Sequence, residues 1–92
     1  MKLFEIFANI HHYDRELTIF ALKPWTKDSD AMLCQDPDGI GDPPEVLGTG
    51  MVYFLEVDIT QDLLTDWIEF LGAEPPIDVQ FDRIVYYAIN DA

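Results

Sequence analysis

Positively charged residues are scarce in this sequence. Five lysines and arginines stand against 18 aspartates and glutamates, which gives a net charge of −13 over 92 residues. Five cations cannot offset the repulsion between so acidic a chain and a phosphate backbone, so we expect no direct binding of nucleic acid. Self-repulsion at this charge density weakens the folded state when nothing is bound and is consistent with a cationic partner.

Cysteine and long apolar runs are also scarce. Cys34 is the one cysteine, which excludes an internal disulfide and fits a reducing compartment. No apolar run approaches the roughly 18 residues of a membrane span, and the short, acid-interrupted N-terminal stretch is a poor signal peptide. We therefore expect a cytoplasmic protein that does not enter membranes, with Cys34 as a small core residue.

Nucleophiles and phosphate-binding motifs are few. The chain has one serine (Ser29), one cysteine and an adjacent pair of histidines, His11 and His12. A histidine pair that follows a helix favours a polar helix end over a catalytic base. A glycine-rich phosphate loop is absent, and the acids are too numerous for any one pair to be singled out for acid–base work. The sequence predicts a non-enzymatic protein without a cofactor.

What the chain does contain is enough apolar material for one core. Hydrophobic residues make up 49% of it and aromatics 13%, which predicts a single acidic domain over residues 1–92 and excludes a disordered acidic tail. Apolar spacing predicts a helix over 2–11, and β-formers predict a hairpin of strands at 16–22 and 31–35. The apolar run 51–57 indicates a central strand, and 83–89 a last strand with 77–81 extended before it.

The most regular pattern lies in "DITQDLLTDWIEFLG". Its apolar arc predicts a helix that Asp58 or Thr60 caps and Gly72 ends. The resulting order α-β-β-β-α-β predicts a small α+β domain, with a mostly antiparallel sheet of about four strands and two helices packed on it. We expect a monomer or a small homo-oligomer.

A carboxylate-rich loop, "QDPDGIGDPPE", occupies residues 35–45. With Asp36 as position 1 of a calcium loop, Asp38 and Gly41 fall at positions 3 and 6, as an EF-hand requires. Ile40 then takes a ligand position, and Leu47 stands where the closing glutamate belongs. The pattern is a weak metal site, so we expect no bound metal. A solvated turn and an acidic surface presented to a basic partner remain as alternatives.

A single acidic stripe runs along the helix predicted at 58–72. Its carboxylates recur at helical spacing, and the helix carries no lysine to compensate them, although like charges one turn apart cost a few tenths of a kcal/mol per pair. The stripe is either an ordinary solvated face or a surface shaped for cations, since its spacing of about 5–6 Å is near that of phosphates along a strand. On the second interpretation, the partner-binding residues are Asp58, Asp62, Asp66 and Glu69, with Asp36, Asp38, Asp42 and Glu45 as a second patch of the same surface.

Three segments resemble a known group of proteins. "KPWTKDSDAML", "YFLEV" and "LLTDWIEFL" are similar to small acidic bacterial proteins that share a Trp-x-x-Asp-Ser/Thr stretch, a Tyr-Phe-Leu-x-Val strand and an acidic helix ending near Asp-Trp. Such groups resemble the immunity proteins of contact-dependent or polymorphic toxin systems. The resemblance covers about residues 23–71 and implies a functional class without assigning any catalytic residue.

Charge and resemblance together predict a non-enzymatic inhibitor. The expected partner is a basic nucleic-acid-handling protein, foremost a nuclease toxin whose active site the chain blocks as an immunity protein. The alternative is a phage anti-defence protein of the anti-CRISPR type that acts as a DNA mimic. Both use the same electrostatics and differ in their target.

Overall fold

The computed structural model describes residues 1–35 and 43–90. Helices and strands follow in the order α-β-β-β-α-α, which confirms the α+β class. The elements are α1 Leu3–Ala8, a 3₁₀ turn Ile10–His12, β1 Leu17–Ala21, β2 Ala31–Gln35, β3 Val52–Glu56, α2 Val57–Leu71 and α3 Ile77–Asn90.

The three strands form one antiparallel sheet in the order β2-β1-β3. The hairpin predicted from the first two strands is confirmed, with Leu17 opposite Gln35 and Ala21 opposite Ala31. The prediction of 51–57 as the central strand was wrong, because β1 is central and β3 lies at an edge. The apolar run of β3 reflects burial of its side chains and not a central position in the sheet.

A bulge in β3 explains that burial. Ile19 pairs with Leu55 and Phe20 with Tyr53, so Phe54 is an extra residue on the bulged strand. Because the bulge breaks the strict alternation of faces, both Phe54 and Leu55 enter the same core, at 3% and 5% exposure. The main core lies between this face of the sheet and the three helices.

The opposite face of the sheet is covered by the segment 43–50. Val46 packs there against Phe20 and Cys34 in a second, smaller core cluster. Cys34 is 6% exposed, which confirms it as a core residue. Hydrogen-bonded turns shape this segment, from the amide of Val46 to the carbonyl of Pro43 and from that of Thr49 to the carbonyl of Val46.

Helix α2 follows β3 directly and ends as the sequence predicts. Gly72 takes the left-handed conformation at φ 73°, where a side chain would be strained, and its amide donates to the carbonyls of Ile68 and Glu69. The start differs from the prediction, since Glu56 is the N-cap residue. Asp58 lies in the first turn instead, and the Thr60 hydroxyl donates to the Glu56 carbonyl at 3.0 Å.

The largest difference from the sequence prediction lies in the last element. Residues 77–90 form helix α3, so the strand predicted at 83–89 and the extended segment before it were wrong. The buried residues Gln80, Phe81 and Ile84 recur at helical spacing, and the Phe81 ring centroid lies 5.5 Å from those of both Phe4 and Phe7. Tertiary contact along this face therefore overrides the β-preference of "RIVYYAI".

The packing of α3 on α1 leads to a prediction about the free energy of unfolding. We expect Phe81→Ala to lower the free energy of unfolding by about 3–5 kcal/mol, because it removes a buried ring from the aromatic contact with α1. Ile89→Ala should change it by less than about 0.5 kcal/mol, since Ile89 is 65% exposed on the outer side of the helix. Urea unfolding followed by circular dichroism measures both. Equal losses for the two variants would contradict this packing.

Candidate functional site

Each of the five cations is held by a partner within the protein itself. Lys2 pairs with Asp30 at 2.8 Å, Arg15 with Asp62 at 3.0 Å and Lys27 with Asp78 at 2.6 Å. The Lys23 ammonium lies 4.8 Å from the ring centroid of Trp25, and the Arg83 guanidinium 5.9 Å from that of Tyr86. The positive charge of the chain is therefore used internally, which leaves the remaining carboxylates as the net surface charge.

All four carboxylates predicted as a stripe lie on α2, but their environments differ. Asp58 is half-buried in the first turn, where its Oδ1 accepts from the Ile59 amide at 2.7 Å and the helix dipole favours an acid. Asp62, Asp66 and Glu69 are exposed. Asp58 thus serves the start of the helix, and three carboxylates form the exposed row.

Arg15 neutralises the first of these three. Its Nη2 donates to both oxygens of Asp62 at 3.0 Å, and its Nη1 donates to Oε1 of Gln61 at 2.8 Å. Gln61 is itself buried, and its Nε2 donates to the carbonyl of Ile10 at 2.8 Å. This Arg15 clamp, comprising Arg15, Gln61 and Asp62, fixes the loop before β1 to the surface of α2.

The contact of Arg15 with α2 could not be predicted from the sequence. The helix carries no lysine of its own, and the compensating cation comes from a position 47 residues earlier in the chain. Helical periodicity relates residues within one helix, so it gives no signal for a contact of this sequence separation.

Asp66 and Glu69 form the part of the row that the fold leaves uncompensated. Neither carboxylate makes an ion pair or a hydrogen bond with the side chains of residues 1–35 or 43–90. Glu69 also lies in the last turn of α2, which contains no basic residue, although the helix dipole disfavours an acid there. Two exposed carboxylates at the C-terminal end of α2 are therefore the core of the candidate site.

The second predicted patch is not joined to this surface by the residues that the structure describes. Glu45 is exposed next to Val46, which packs on the face of the sheet opposite to α2. The sheet therefore lies between Glu45 and the α2 row. Asp36, Asp38 and Asp42 lie outside the described residues, together with most of the calcium-loop pattern.

The residues suited to catalysis or metal binding lie apart from one another. His11 and His12 are exposed on the 3₁₀ turn, whereas Cys34 belongs to the small core on the far face of the sheet. Within residues 1–35 and 43–90, no three His, Cys, Asp or Glu side chains converge to hold a metal ion. No helix in those residues has the length and apolar character needed to cross a bilayer.

The perturbed ionisable groups are explained by structural contacts. The hydrogen bond from Lys2 lowers the pKa of Asp30 and raises that of Lys2 itself. This pair joins the start of α1 to the segment entering β2, where Lys2 and Asp30 also form a backbone bridge. Burial raises the pKa of the Tyr53 hydroxyl, and the nearby charge of Glu56 adds to the effect.

Comparison with known proteins finds no match to a family model, a curated protein or a solved structure.

The Arg15 clamp makes a graded stability prediction. We expect Gln61→Leu to lower the free energy of unfolding by about 1–3 kcal/mol, because two hydrogen bonds are lost: the shorter of the two that the Ile10 carbonyl accepts and the one that Arg15 donates. Arg15→Met should cost less than Gln61→Leu, since its ion pair with Asp62 is more than half exposed and screened by solvent, and Gln61 keeps its hydrogen bonds to main-chain carbonyls. Urea unfolding of each variant measures these differences.

The matched control for this prediction is Lys27→Met, which removes another exposed ion pair, that with Asp78 on α3, together with the contact between the Lys27 ammonium and the Phe4 ring. It should behave like Arg15→Met. A loss for Arg15→Met as large as that for Gln61→Leu would contradict the separation of a buried anchor from a surface charge contact.

Proposed function

We propose that this protein is a non-enzymatic, cytoplasmic inhibitor that binds and neutralises a basic nucleic-acid-handling protein. The observation that carries the proposal is the internal use of all five cations, which leaves Asp66 and Glu69 as exposed carboxylates on one helix. A partner whose cleft binds phosphates can supply the missing positive charge. An immunity protein that blocks a nuclease toxin is the first form of this proposal, in line with the sequence resemblance.

Electrostatics define how such an inhibitor works. A net charge of −13 steers a basic partner toward the chain and raises the association rate. Carboxylates at the C-terminal end of α2 then meet the lysines and arginines that would otherwise hold nucleic acid. Occupation of that cleft is sufficient for inhibition, and no chemical step is required.

An anti-defence protein would use the same surface against a different target. The charge distribution favours neither target class, because both kinds of partner bind phosphates. The neighbouring gene separates the two, since toxin and immunity genes lie side by side.

Charge reversal at the end of α2 tests the proposal. We expect Asp66→Lys with Glu69→Lys to weaken partner binding by several kcal/mol, because each lysine then faces a cation. The fold should be retained or slightly stabilised, since a lysine in the last turn suits the helix dipole and the like-charge row is relieved. Affinity chromatography from the native host with each variant, followed by calorimetry and a nucleic-acid cleavage or binding assay of the captured protein, measures the effect.

The matched control reverses two exposed carboxylates elsewhere, Glu16→Lys with Asp28→Lys, and changes the net charge by the same amount. It should retain inhibition with only a reduced association rate. Full inhibition by the α2 variant at wild-type concentration would show that this helix is not the binding face. Capture of a partner that is not basic would contradict the function itself.

A further inference from the structure

An exposed aromatic ring stands beside the uncompensated carboxylates. Phe70 is 86% exposed, more than any other large hydrophobic side chain in the described part of the chain, and its neighbour Leu71 is 46% exposed. Asp66 precedes Phe70 by one helical turn, so the two share a face of α2, and Glu69 is adjacent in sequence. Charge and apolar surface therefore meet at the C-terminal end of the helix.

The Phe70 ring is not part of either hydrophobic core cluster in residues 1–35 and 43–90. The buried side of α2 consists of Val57, Thr60, Gln61 and Leu64, and Phe70 lies away from it. Phenylalanine has a lower helix propensity than lysine, glutamine or glutamate, any of which would suit an exposed position better. Because Glu69 also opposes the helix dipole, the last turn of α2 combines residues that do not favour the isolated protein.

The Arg15 clamp limits which part of the row a partner can use. Since Asp62 is already paired with Arg15 on both oxygens, the available charges are those of Asp66 and Glu69 next to Phe70. The available surface is thus a flat ring flanked by two carboxylates. We refer to Asp66, Glu69 and Phe70 as the acidic–aromatic corner.

We infer that the acidic–aromatic corner binds a cationic cleft that normally holds unstacked bases, as in proteins that bind single-stranded or flipped-out nucleotides. This inference rests on the proposed function and narrows its partner class. Clefts for single strands combine cations that follow the phosphates with aromatic or guanidinium planes on which bases stack. In the corner, the carboxylates stand in for phosphates and the Phe70 ring stands in for a base.

Charge complementarity selects this occupant over the others. A second copy of the chain would bring another net charge of −13 against the corner, and an anionic lipid surface would repel it in the same way. In a complex with duplex DNA the bases remain stacked inside the double helix, so a cleft built for duplex DNA needs no plane on which a protruding ring could stack. A cationic cleft with a stacking plane complements both the charge and the ring.

Displacement of bound nucleic acid tests the inference. Two probes are used: an OB-fold single-strand-binding domain carrying fluorescent oligo(dT), and a helix–turn–helix domain carrying a fluorescent duplex. We expect the wild-type chain to release oligo(dT) at a concentration at least about tenfold lower than it needs for the duplex. Phe70→Leu keeps an apolar side chain but removes the flat ring, and it should raise the concentration needed to release oligo(dT) roughly five- to hundredfold.

Two variants serve as matched controls. Phe70→Trp keeps a stacking ring and should release oligo(dT) as the wild type does. Ile89→Ala removes an exposed apolar side chain from α3 and should also have no effect. Chemical-shift mapping with the OB-fold domain should place the contact on Asp66, Glu69 and Phe70.

The outcomes separate this inference from the proposed function. If Asp66→Lys with Glu69→Lys abolishes displacement while Phe70→Leu behaves like the wild type, the acidic surface is supported as the binding face. The stacking role of Phe70 is then wrong. Equal or preferential release of the duplex also overturns the inference. If neither probe is displaced, or if charge reversal has no effect on displacement, the inference is overturned, and the charge-reversal test on the captured partner decides the proposed function separately.

Discussion

The shortage of cations is the constraint on which the rest of this structure depends. With 18 acids and five bases, the protein cannot balance its own surface, and it places three of the five cations where one ion pair joins two parts of the fold. Lys2 connects the start of α1 to the entrance of β2, Arg15 joins the loop before β1 to α2, and Lys27 reaches α3. Organising the fold in this way uses the available positive charge, so the carboxylates left over must find compensation in solvent or in a partner.

The Arg15 clamp links this constraint to the candidate site. A buried amide, that of Gln61, binds a main-chain carbonyl of the 3₁₀ turn and also holds the guanidinium that covers Asp62. The Gln61 side chain thus takes part both in holding the 3₁₀ turn against α2 and in positioning the cation that neutralises Asp62. As a result, the row of carboxylates that periodicity reveals on α2 is not uniform: its first members serve the fold, and its C-terminal members remain available.

The sequence contained enough information for the local elements and less for their assembly. The first hairpin and α2 were predictable, because β-formers and an apolar arc with a terminal glycine are local signals. Helix α3 was not predicted because "RIVYYAI" favours a strand by propensity. The helix is stabilised by contacts of Phe81 with Phe4 and Phe7, which are distant in sequence. The edge position of β3 and the ion pair of Arg15 were unpredictable for the same reason: both depend on contacts distant in sequence. The acidic row itself was visible, but its division into paired and unpaired members was not.

The dependence of stability on salt tests the central claim, that uncompensated carboxylates dominate the surface of the free protein. Raising the NaCl concentration from about 0.01 M to about 0.1 M shortens the screening length from about 30 Å to about 10 Å. The account predicts a higher Tm at the higher salt concentration, by about 4–8 °C for each 1 kcal/mol of repulsion relieved. An unchanged or lower Tm would contradict it, because the ion pairs that screening weakens would then outweigh the repulsion between the remaining acids.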